Sequence, residues 1–142
     1  MKYFIIKINS PKDKLWLCLP AIVAGILDLI VTLLGQPDKY WRGSYNMVSE
    51  ANPIGHWFLR MHPLSFVCYD FAELAIICIM IIVLPAIISK SLSVFYTIGS
   101  AKAFYNWMYG LLHLGLVSNL MLIIPTIALV YSFGKASEYE NS

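Results

Sequence analysis

Asp28, Asp70, Glu73, Lys102 and His113 lie inside stretches otherwise made of Leu, Ile, Val, Phe and Ala. A charged group in hydrocarbon is costly unless it is paired, hydrated or neutralised, so such residues face the interior of a helical bundle. Carboxylates, an ammonium and an imidazole in that setting have three uses. They pair to fix helix packing, they ligate a metal, or they pass protons.

Spacing groups them further. Asp28 and Thr32 are four apart, Asp70 and Glu73 three apart, and Lys102, Asn106, Tyr109 and His113 follow i, i+4, i+7, i+11. Each set falls on one face of a helix. These eight residues are expected to form a buried polar cluster in which Lys102 pairs with Asp28 or Glu73. Intramembrane hydrogen bonds of this kind contribute roughly 1 kcal/mol each.

A second group lies in the segment between the first two apolar runs. Asn52 suits a helix N-cap and Pro53 the first helical position, where no N–H is needed. A short helix is predicted from Pro53 to Met61, ending before His62-Pro63. Glu50 and His56 flank its start and are expected at the outer mouth of the bundle, with His56 directed toward His113 and Asp70.

Asp28, Glu50, His56, Asp70, Glu73 and His113 are suitable zinc or iron ligands. The sequence lacks His-Glu-x-x-His, Glu-x-x-His and any pair of His four apart. It also lacks a serine-nucleophile motif. Haem ligation by two of His56, His62 and His113 is the other cofactor option, and none is specifically predicted. Cys18, Cys68 and Cys78 sit in apolar runs without a Cys-x-x-Cys and read as small hydrophobes.

The elements that carry these residues follow from composition. The chain has 142 residues, 59% apolar and 13% charged, with a mean hydropathy of +0.70. Soluble domains are nearer half apolar and a quarter charged, so the expectation is a single all-α integral membrane domain. A net charge of +2, with scattered basic residues, gives no nucleic-acid surface. Four spans are predicted at about 15–35, 63–88, 92–115 and 119–133, joined by an outer loop at 36–62 that holds the short interfacial helix. The third and fourth spans are divided near Gly115 to Asn119, with Asn119 as a cap and Pro125 interrupting the fourth. The alternative is three spans, with 105–133 as one long tilted helix. Lys2, Lys7, Lys12, Lys14, Lys90 and Lys135 fall on one side of the four-span arrangement; Lys39, Arg42 and Arg60 fall on the other. That bias places both termini in the cytoplasm.

Asp28 with Thr32, followed by Glu50-x-Asn52-Pro53, resembles an uncharacterised family of small four-span prokaryotic integral membrane proteins. The resemblance covers about the first half of the chain. It implies a multi-pass protein of the cytoplasmic membrane and draws attention to Asp28, Glu50 and Asn52. The family pattern has a Lys in the second span, where this chain has Asp70 and Glu73. No catalytic motif being present, the expected role is a subunit or accessory protein of a larger membrane complex. Its partners would be lipid and other membrane subunits, or further copies of itself. A metal-dependent intramembrane enzyme and a proton or ion translocation component are the alternatives.

Overall fold

Helix α1 (Pro11–Leu34) is the axis around which a computed structural model of the protein is arranged. The structure describes residues 11–111, 115, 117, 119 and 122–138; side chains are described from residue 14 to 110 and, beyond that, for 115, 117, 119 and 122–136. Around α1 lie α4 (Pro63–Val83), α5 (Ala86–Asn106) and α6 (Ile123–Glu138), each packed against it. Two shorter helices, α2 (Asp38–Trp41) and α3 (Pro53–Met61), close one end, with α3 seated on α4. All regular structure among the described residues is helical. Two helical segments, Lys14–Leu34 and Pro63–Val83, are long and apolar enough to cross a membrane.

Local chemistry explains the helix ends. Helix α1 stops at Gly35-Gln36-Pro37, with the Gly35 N–H bonding Val31 O at 2.8 Å. Helix α3 starts where the sequence predicts: the Asn52 side chain accepts the Ile54 N–H at 3.0 Å, and the helix ends at Met61. His62 then caps α4, its Nδ1 accepting the Leu64 N–H at 3.1 Å. Gly43 turns the chain between α2 and α3 with φ +93, a conformation that favours glycine.

Other boundaries differ from expectation. Helix α4 ends at Val83, not near residue 88, because Leu84 precedes Pro85 and is extended, at φ −71 and ψ 161. The freed carbonyls at this end are taken up by side chains. Lys14 Nζ donates to Ile82 O at 3.1 Å and to Leu84 O at 2.6 Å. Ser89 Oγ adds a 2.9 Å bond to Leu84 O. Helix α5 therefore begins at Ala86, six residues before the expected start at 92, and runs into a π-helical turn at Trp107–Leu111. Residues 115, 117 and 119 are helical where a break was expected. Pro125 does not interrupt α6, since it sits in the first turn, where a missing N–H costs little.

The α1–α5 interface is close because small residues line it. Ser89, Ser93 and Thr97, one turn apart on α5, are all buried. Ser93 Oγ donates to Leu17 O at 2.6 Å, and Thr97 Oγ1 to Ser93 O at 2.7 Å. Hydroxyls at this spacing satisfy themselves while letting backbones approach. Three apolar clusters complete the packing. Leu17, Ala21, Leu74 and Ile81 lie toward the Lys14 end, Val31, Phe104, Trp107 and Met108 lie beside the π-turn, and Leu29, Tyr40, Leu59 and Phe66 lie under α2 and α3.

Candidate functional site

The closed end of the bundle contains an acidic cavity of about 110 Å³. Asp28 and Thr32 come to it from α1, Glu50 and Asn52 from the loop before α3, Asp70 and Glu73 from α4. Tyr69, Tyr96, Ser100 and Trp107 complete the polar and aromatic wall. That volume holds several water molecules or a small ammonium group, since about 10–15 Å³ suffices for one water. Among the described residues lining it, four are carboxylates and none is basic.

Each acid is positioned by its own element. Thr32 lies one turn beyond Asp28 on α1 and lines the same cavity. Asp28 Oδ1 is fully buried and has no hydrogen-bond partner among the described residues. Tyr69 lies one turn before Glu73 on α4, and Tyr96 one turn before Ser100 on α5. Glu50 is held by the backbone: its Oε1 accepts the Asn52 N–H at 2.7 Å. A Cβ on Gly55 would stand 3.4 Å from Glu50 Cγ, so the small residue leaves room for that side chain.

Gln36 sets the height of the loop. It is buried, and its Nε2 donates to Thr32 O at 2.9 Å and Ser49 O at 3.0 Å. Tyr40, fully buried, fastens α2 to α3 by donating to Leu59 O at 3.0 Å. Burial, with Tyr45 beside it, pushes the Tyr40 phenol up to about 12, so it remains a hydrogen-bond donor.

The expected cluster is thus divided. Asp28, Thr32, Asp70, Glu73, Glu50 and Asn52 come together. Lys102, Asn106 and Tyr109 are exposed, so the expected pairing of Lys102 with Asp28 or Glu73 inside the bundle is replaced by an outward polar stripe. The reason is rotation of α5: nine residues separate Lys102 from buried Ser93, which puts the two on opposite sides of the helix. Asn106 still reaches the mouth of the cavity, a depression of about 350 Å³ shared with Ser49, Glu50, Asn52 and Trp107. His56 is not among the residues lining the cavity with Asp70; its Nδ1 lies 3.3 Å from Glu50 O. His113 lies outside the described residues. Among the described residues no group of three or more His, Cys, Asp and Glu is arranged to hold a metal ion. His62, one of the haem candidates, uses its Nδ1 as the α4 cap.

Gln36, Tyr69, Tyr96, Ser100 and Trp107 were not among the expected site residues. The available signal was the Ser89, Ser93, Thr97 stripe, which identifies the inward face of α5 on which Tyr96 and Ser100 also fall. No family model, no curated protein and no solved structure matches the chain.

Proposed function

We propose that the chain is a small four-span membrane protein that binds positive charge, as protons or an ammonium-type cation, in its acidic cavity. In this reading α1, α4, α5 and α6 are the spans and both termini are cytoplasmic. At 21 residues each, the apolar segment of α1, α4 and α5 reach about 32 Å, enough for a hydrocarbon core of about 30 Å. Membership in the four-span family that Asp28, Thr32 and Glu50-x-Asn52-Pro53 resemble belongs to the same proposal.

The observation that carries the reading is the cavity lining: Asp28, Glu50, Asp70 and Glu73 without a basic neighbour among the described lining residues. Carboxylates gathered in a low-dielectric interior need compensation from outside their own set. Protons supply it, and so does a ligand cation.

The test uses the full chain in lipid nanodiscs, treated with a hydrophobic carbodiimide and mapped by mass spectrometry. Modification is expected at Asp28 and Glu73, and methylammonium should slow it. Labelling confined to carboxylates outside the cavity, or labelling indifferent to methylammonium, overturns the reading.

A second reading, the accessory subunit, has its own support in the exposed stripe of Lys102, Asn106 and Tyr109. A polar stripe on the outside of a span is best satisfied by polar groups of another protein. A stoichiometric partner retained in mild detergent by the wild type and lost with Lys102→Leu would favour it.

A further inference from the structure

The acidic cavity adjoins a groove on the side of the bundle. This groove, about 430 Å³, shares Asp28, Glu73, Tyr96 and Ser100 with the cavity, and its other wall is Leu92, Phe95 and Gly99 of α5. Polar atoms therefore sit at one end and apolar carbon at the other. From Ser100 down to Leu92 the groove follows α5 for about 12 Å. Phe95 is 77% exposed along it, and a Cβ at Gly99 would meet nothing within 4 Å.

We propose that the cavity and groove form one site for an amphiphilic amine, its ammonium between Asp28 and Glu73 and its alkyl tail along Leu92, Phe95 and Gly99. The inference rests on the cation-binding reading above and adds the class of ligand. Charge complementarity selects the head: an ammonium offers three donors to carboxylates that have no cationic neighbour among the described lining residues, and anionic lipids are repelled by the same groups. Tyr96 lines both compartments at their junction. The groove selects the tail, because its apolar wall gains only from a ligand that covers it. If α5 is a span, the groove opens sideways onto lipid, and a ligand already dissolved in the bilayer reaches the acids without leaving it.

The experiment measures protection of Asp28 from carbodiimide in nanodiscs by methylammonium, decylammonium and decanol. Decylammonium should protect at a concentration at least about tenfold below methylammonium, a gain that two buried methylenes supply. Decanol should not protect. Gly99→Leu, which fills the groove from open space, should shrink the decylammonium advantage to below about threefold. Phe95→Ala, which removes the exposed wall, should shrink it as well.

Equal protection by methylammonium and decylammonium would overturn the groove and leave the cation site standing. An advantage that both variants leave intact would reflect concentration in the bilayer only and would also overturn it. Protection by decanol equal to that by decylammonium would remove the role of charge. No protection by any ammonium would overturn this inference together with the reading beneath it.

Discussion

Gln36 holds Ser49 on both sides of its backbone: Nε2 donates to Ser49 O and Oε1 accepts the Ser49 N–H, each at 3.0 Å. The side chain thus replaces a strand partner for a loop that has none. The residue held in this way is the one before Glu50, so the end of α1 that carries Asp28 also fixes the loop carboxylate. Replacing Gln36 by Leu leaves two partly buried backbone groups of Ser49 unpaired and should cost about 2 kcal/mol. It should also weaken methylammonium protection of the cavity, because Glu50 loses its position. A Gln36→Leu protein with wild-type melting in detergent and wild-type protection would show that the grip has no consequence.

Lys14 holds the opposite end. It is 9% exposed and donates to two carbonyls freed by the break at Leu84-Pro85. Lys14→Met keeps the aliphatic stem and removes the donors, so the loss should be about 2–3 kcal/mol, as for hydrogen bonds made by a charged group. Thermal unfolding in detergent measures it. The expected sign is a lower melting temperature, and an unchanged one would mean that the α4 carbonyls find other donors.

Two glycines give opposite expectations. A Cβ at Gly35 would overlap the Trp107 ring, whereas one at Gly99 meets open space. Gly35→Ala should therefore destabilise by roughly 1–3 kcal/mol. Gly99→Ala, inside α5, should be neutral or stabilising by up to about 1 kcal/mol through helix propensity. Paired melting curves check both, and equal effects would contradict the packing of Trp107 on α1.

Lys102 is exposed and its neighbours on the same face, Asn106 and Tyr109, are exposed too. Lys102→Leu should change the stability of the isolated chain by no more than about 0.5 kcal/mol. A loss of several times that size would restore Lys102 to the interior of the bundle.

That residue also marks what the sequence makes legible. Asp28, Asp70 and Glu73 can be gathered by depth along their helices, because 1.5 Å per residue fixes height. The start of α3 is legible because Asn52 and Pro53 act on their own neighbours. Helical phase shows that Lys102 and Asn106 share a face but not which way the face turns, which depends on packing by Ser89 and Ser93 against α1. The end of α4 was hidden because apolar residues continue through Leu84-Pro85-Ala86, and only the proline signals the break. Gln36 looks like part of a helix stop, and its two bonds to Ser49, 13 residues away, depend on how the loop folds back.

A cation in the acidic cavity should be detected by equilibrium binding of radiolabelled methylammonium to the chain in nanodiscs. The wild type should bind saturably, and Asp28→Asn should weaken binding about tenfold or more, the loss expected for one charge-assisted contact. The same variant should melt no lower than the wild type, because Asp28 Oδ1 has no hydrogen-bond partner to lose among the described residues. Saturable binding that Asp28→Asn leaves unchanged, or no saturable binding by the wild type, would contradict the account.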